Sequence, residues 1–134
     1  MKTTNGLTIY ESWEEYPWDN KRWPNFKPYE FDCKGTGRIA LDPNSLDKLQ
    51  TLRSRINRPF VIVSGYRSPE HNRAVGGARN SFHMQGIAFD VSLRGLDKEE
   101  MFQKAEEAGF DGIGKYNTFI HIDTRGYKAR WGNW

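Results

Sequence analysis

The chain has 134 residues with one cysteine, and its 20 Lys plus Arg against 17 Asp plus Glu give a formal charge of +3. A chain of this length forms one domain that buries roughly 68–70% of its unfolded surface, so its core needs no disulfide staple, and a lone cysteine excludes an internal one. No run approaches the ~18 apolar residues of a membrane span, and the cations are scattered rather than gathered in a stripe, which argues against a nucleic-acid partner.

Residues 1–134 read as a single α+β unit, with an irregular segment over 1–38 and a body over 39–134. The N-terminus, Met1-Lys2-Thr3-Thr4-Asn5-Gly6, has no apolar h-region, so a cleaved secretory signal is not expected and synthesis in the cytoplasm is. Eight aromatic residues crowd the first 31, and Pro17, Pro24 and Pro28 interrupt any long helix there. Aromatic faces suit sugars and peptides, but burial against the body is the stronger expectation for them. Cys33 with Gly35 and Gly37 reads as a turn.

Asp42-Pro43-Asn44-Ser45 opens a helix whose apolar stripe is Leu46, Leu49, Leu52 and Ile56, and Pro59 lies beyond its end. Phe60-Val61-Ile62-Val63 reads as a buried strand. Ser68-Pro69-Glu70 reads as a short helix start, with Ser68 as cap and Pro69 in the first turn. Ile87–Ser92 alternates, putting Phe89 on one face and Asp90 on the other. Asp97 and Glu100 have the spacing of a capping box, Leu96 and Met101 that of a hydrophobic staple, and Gly109 ends the helix they open. Two strands follow, around residues 112–116 and 119–123, joined by a tight turn at Asn117-Thr118. The tail from Arg125 to Trp134 is expected to pack back on the body.

Two of the three histidines lie near carboxylates on these elements. His83 precedes Asp90 by seven residues, about 23 Å if extended, so one ion reaches both only if the chain folds back, and Gly86 permits that. On the last strand Phe119, His121 and Asp123 share a face while Ile120 and Ile122 point into the core. Two imidazoles and a carboxylate make three ligands, the number of an open zinc site that keeps a position for water. Spacing alone favours hydrogen-bonded structural histidines over a metal site, because His-x6-Asp is a loose pattern. His71, outside these motifs, reads as a surface or supporting residue.

Taken together, Ser81-x-His83-x-x-Gly86-x-Ala88-x-Asp90 and His121-x-Asp123 resemble the signature of the M15 metallopeptidases, zinc D-Ala-D-Ala carboxypeptidases and related peptidoglycan endopeptidases. Ser64-Gly65-Tyr66-Arg67-Ser68-Pro69-Glu70-His71-Asn72, Val75-Gly76-Gly77-Ala78, Gly112-Ile113-Gly114-x-Tyr116 and Arg130-Trp131 extend the resemblance over residues 40–131. It is greatest to the small subgroup common in bacterial and phage proteins. The resemblance implies a hedgehog-like fold, a small antiparallel sheet with flanking helices. It implies one zinc ion on His83, Asp90 and His121, with Arg67 and Ser81 at the substrate, Arg67 holding a substrate carboxylate or the developing oxyanion. The implied substrate is a peptidoglycan peptide and the expected state a monomer. Action at the wall without a signal implies a phage or prophage origin or another export route.

One position departs from the pattern. Several members carry an acidic general base three residues before the last histidine ligand, where this chain has Thr118. Asp123 is the nearest replacement and is expected to take the water proton as that base; the alternative is that it orients a ligand from behind, and His71 is a distant third candidate for the base. The departure favours a second reading, a zinc-containing wall-binding or phage-tail module without activity. A glycosidase would need two carboxylates flanking a sugar cleft, and no motif marks such a pair.

Overall fold

The computed structural model describes residues 2–4 and 6–134. A hairpin of β1 (Lys2–Thr4) and β2 (Leu7–Ile9) precedes two short 3-10 turns, Trp13–Glu15 and Pro28–Glu30, so the first 38 residues are less irregular than expected. Their aromatic residues enter the core: Tyr16, Trp23, Phe26 and Phe31 are buried in the main apolar cluster.

Helix α1 (Pro43–Ile56) starts where Asp42 accepts the Ser45 amide proton and ends where Asn57 turns into the left-handed region at φ 57°. Its Leu46, Leu49 and Leu52 have no exposed surface, and each such burial stabilises by about 1.5–3 kcal/mol. Strand β3 (Ile62–Ser64) follows, then the one-and-a-half-turn α2 (Pro69–Ala74), capped by Ser68 on the His71 amide. A 3-10 turn at Phe82–Gln85, too short for periodicity to reveal, leads into β4 (Ala88–Ser92). Helix α3 (Lys98–Glu107) is capped by Asp97 on the Glu100 amide. Strands β5 (Gly112–Lys115), β6 (Phe119–Asp123) and β7 (Ala129–Gly132) close the chain.

The five strands from β3 onward form one sheet in the order β3-β4-β6-β5-β7. All its pairings are antiparallel except β5–β7, which is parallel. Thus the tail becomes an edge strand rather than a loose wrap. The expectation that Phe60–Val63 is buried throughout is corrected: β3 is the other edge, Val61 and Val63 face solvent, and only Phe60 and Ile62 reach the core.

Alternation divides the sheet. Phe89, Val91, Ile113, Ile120 and Ile122 face α1 and α3 and build the core with Leu46, Leu49, Met101 and Ala105. The opposite face carries polar side chains. Register sets Ser64 opposite Asp90, Asp90 opposite His121, His121 opposite Gly114, and Gly114 opposite Trp131. Residues directly opposite each other point the same way, so these five form one row across the whole sheet.

Candidate metal centre

Asp90 and His121 are neighbours in that row, and His83 joins them from the 3-10 turn. Gly86 makes this possible: at φ 70° it caps the turn in a conformation that side chains rarely adopt, and a Cβ there would strike the Ala40 carbonyl. One donor atom from each of His83, Asp90 and His121 lies within 4.8 Å of the other two. Nε2 of His83 is 3.2 Å from Oδ2 of Asp90, and Nδ1 of His121 is 3.1 Å from Oδ1.

The far side of each imidazole is committed. Nδ1 of His83 lies 2.8 Å from the Gly65 carbonyl, which only accepts, so that nitrogen carries the proton. Nε2 of His121 lies 2.7 Å from Oδ2 of Asp123. Both inward nitrogens therefore offer lone pairs toward a carboxylate that also offers lone pairs. Such an array demands positive charge at its centre, from protons or from a cation. Two imidazole nitrogens and a carboxylate oxygen at these separations fit zinc, which takes such ligands at ~2.0–2.2 Å, and oriented imidazoles backed by a carbonyl and a carboxylate are the usual support of such sites.

The charges follow the geometry. Burial alone would raise the Asp90 pKa, but with protons on the inward nitrogens, hydrogen bonds from His121 and His83 bring it down to about 2. Burial opposes a charge on His121, yet Asp123 and Asp90 on either side outweigh it and raise its pKa. Asp123 has no exposed surface, and against its burial His121 and Arg125 hold it well below the usual carboxylate range. Arg125 grips it with Nε to Oδ1 at 3.0 Å, its terminal nitrogen to Oδ2 at 2.7 Å and its backbone amide to Oδ1 at 3.1 Å. The guanidinium also stacks on Phe82 at 4.3 Å and on Trp131 at 5.0 Å.

These groups border a pocket of about 440 Å³. Arg67, on the loop from β3 to α2, lines it together with Ser81, Asn80 and Phe119. Its guanidinium donates to Oδ1 of Asn72 at 3.0 Å and to Oγ of Ser64 at 3.3 Å, both neutral, and among the described residues it forms no ion pair. An unneutralised, half-buried guanidinium in a pocket suits an incoming carboxylate or oxyanion. Oγ of Ser81 accepts the His83 amide proton at 3.2 Å and so fixes the start of the turn.

The structure thus brings His83, Asp90, His121, Arg67 and Ser81 to one pocket. Asp123 is adjacent but does not line it, and both its oxygens are occupied, a geometry that fits orienting His121 rather than accepting a proton from water. Asp90 is the only carboxylate of the pocket wall among the described residues. Thr118 faces a separate depression beside Arg94 and Lys98, and His71 packs against Gly35 away from the pocket. Arg125 was not singled out by sequence reasoning; its signal is the i, i+2 spacing from Asp123 at the end of a strand. The Gly112-Ile113-Gly114 motif now has a physical reason: a Cβ at Gly112 would collide with the Asp123 carboxylate, and one at Gly114 with the Trp131 indole.

The family described as Peptidase M15 matches residues 24–123. "Probable peptidoglycan L,D-endopeptidase MepK" of Haemophilus influenzae is 32% identical, the alignment covering 68% of this chain and 55% of that protein. "Peptidoglycan L,D-endopeptidase MepK" of Escherichia coli K12 is 32% identical over 63% of this chain and 52% of its own length. "Zinc D-Ala-D-Ala carboxypeptidase" of Streptomyces albus G is 37% identical over 49% of this chain and 26% of its own. The chain spans about half the length of the MepK relatives it matches.

Proposed function

Because the chain belongs to the M15 peptidase family, we propose that it hydrolyses amide bonds in the peptides of peptidoglycan, using one zinc ion held by His83, Asp90 and His121. The observation that carries this reading is the convergence of three donors whose outer partners, Gly65 and Asp123, turn both imidazole lone pairs inward. Zinc bound there supplies Lewis acidity, acidifying water and polarising a carbonyl.

The protein's own groups do the rest. Asp123 is a positioning residue: it holds Nε2–H of His121 and keeps Nδ1 free as a donor atom, while Arg125 neutralises and anchors Asp123. Arg67 binds a substrate carboxylate or the oxyanion that forms on the scissile carbonyl, because its planar donors are fixed and carry no competing anion. Phe82, Phe119 and Trp131 give the pocket apolar walls that strengthen these polar contacts.

The two MepK relatives align over more of the chain than the carboxypeptidase does, so an internal L,D bond of a stem or cross-link peptide is the substrate proposed. The test is digestion of purified sacculi by the zinc-loaded protein, with the fragments weighed by mass spectrometry. New amino termini at one peptide position are expected. Tight binding to sacculi with no fragment released would instead make it a wall-binding module.

A further inference from the structure

The row of the sheet that carries Asp90 and His121 is flanked at its two ends by hydrogen-bond donors. At the β3 end Ser64 holds Arg67. At the β7 end Nε1 of Trp131 donates to the hydroxyl of Tyr116 at 2.9 Å. An indole N–H can only donate, so the Tyr116 oxygen accepts and its own hydrogen is left to point elsewhere; no other partner takes that hydrogen among the described residues. Tyr116 lines the pocket.

Tyr116 is 40% exposed, yet its ring, hydroxyl and backbone are each held. Its ring stacks on Phe119 with centroids 4.4 Å apart and planes 8° from parallel. Its amide donates to the Phe119 carbonyl at 3.1 Å, and its carbonyl accepts from Nε1 of Trp134 at 2.9 Å. Gly114 completes the arrangement, because only a residue without Cβ lets the Trp131 indole lie over that strand position. Burial does not require such fixation of a rim residue. A side chain that acts on a substrate gains from it, because its geometry is then set in advance.

We propose that Tyr116 is a catalytic residue that protonates the leaving amine, a role that rests on the peptidase reading above. Arg67 and Tyr116 line the pocket on either side of the Asp90–His121 pair, and the Trp131 indole that holds the phenol lies 5.1 Å from the His121 ring, so an amide seated over that pair meets Arg67 with its oxyanion and Tyr116 with its nitrogen. As the C–N bond breaks, the phenolic proton moves to that nitrogen and the electron pair of the bond stays with the amine. The attacking water sheds its proton to solvent in the open pocket, and the phenolate regains one from solvent after the amine has left, so no proton is gained or lost by the enzyme. Among the described residues Asp90 is the one carboxylate of the pocket wall, and it faces both imidazoles, so no carboxylate is left there to hand a proton to the amine.

The test compares Tyr116→Phe with the parent protein, both zinc-loaded, on a stem peptide and on its thiodepsipeptide analogue, whose thiolate leaves without a proton. Phenylalanine keeps the stack on Phe119, so zinc content and the affinity for product peptide, read by elemental analysis and calorimetry, are expected to stay unchanged. On the amide, kcat is expected to fall about 10²-fold or more, the usual scale of a lost general acid, and on the thiodepsipeptide by less than about 5-fold. Equal losses on both substrates, or none on the amide, overturn the proposal. A parent protein that cleaves neither substrate overturns the peptidase reading itself, and this role with it.

Discussion

Replacing Asp123 by Asn separates the two roles open to that residue. The carboxylate meets four donors: its Oδ1 accepts the Arg125 amide and Nε, and its Oδ2 accepts His121 Nε2 and the Arg125 terminal nitrogen. Asparagine keeps the shape but offers one oxygen, and its NH₂ then faces donors. Asp123 has no exposed surface and the Arg125 side chain only 13%, so removing the charge leaves a guanidinium unpaired in a poorly hydrated place. Breaking a buried pair in this way typically costs about 3–5 kcal/mol. For a chain of this size that is a fall of about 10–18 °C in melting temperature, read by calorimetry with zinc removed. Loss of the group that orients a histidine ligand lowers metal affinity about 10–100-fold, read by competition with a chelating dye. A residue acting as general base predicts the reverse pattern, with zinc affinity intact and kcat reduced by orders of magnitude. Parent-like zinc affinity together with a collapsed kcat would therefore refute the positioning role.

Four other changes test the rest of the site and the fold. Arg67→Ala is expected to lower kcat/KM about 10²–10³-fold while zinc content and melting temperature stay put, and Arg67→Lys should not restore the rate, because an ammonium cannot reproduce the planar fork. Gly114→Ala drives a methyl into the Trp131 indole; overpacking of this kind costs about 1–3 kcal/mol, and a shift of tryptophan emission should accompany the lower melting temperature. His83→Ala is expected to abolish stoichiometric zinc binding by elemental analysis, and retained activity after zinc depletion would sink the metal assignment. At alkaline pH, Tyr16 gives a sign-specific test. Burial, with Tyr10 and Asp42 nearby, pushes its pKa up to about 12, so the folded state holds a proton that the unfolded state releases above about pH 10. Its contribution is whole below pH 10 and is lost between pH 10 and 12, at most about 3 kcal/mol in all, and Tyr16→Phe should flatten that part of the melting curve against pH.

The parts of this structure that were legible in the sequence are those fixed locally. Asp42-Pro43 and Asp97-x-x-Glu100 mark helix starts because caps act within one turn, and Gly86 marks the reversal between His83 and Asp90 because only one residue had to enter the left-handed region. The α+β class and the M15 resemblance were legible for the same reason, since the motifs are short and ordered. What was not legible depends on partners distant in sequence. Lys128-Ala129-Arg130-Trp131 shows no strand alternation, and β7 exists because β5 offers it a parallel edge. Val61 and Val63 look like core residues by type, and only their place on the rim of the sheet exposes them. The positioning role proposed for Asp123 rests on its contacts with Arg125 and on the depth of β6, neither of which spacing reveals.

That same dependence on register explains why the site is built on a sheet row rather than a loop. Asp90 and His121 face each other on central strands held by pairing on both sides, so their separation follows from strand spacing rather than from loop conformation. Only His83 comes from a turn, and that turn is tied down: the Arg67 amide donates to the His83 carbonyl at 3.1 Å while the His83 ring contacts the Gly65 carbonyl. The stretches Gly65–Arg67 and Phe82–Gly86 are therefore tied to each other by hydrogen bonds, and the guanidinium proposed to receive the substrate stands on the same loop that orients His83, a proposed metal ligand. A change that displaces the backbone of that loop, unlike truncation of the Arg67 side chain alone, should alter substrate affinity and metal affinity together. Changes at Tyr116 and Trp131, on the opposite end of the row, should alter the rate with the metal still in place.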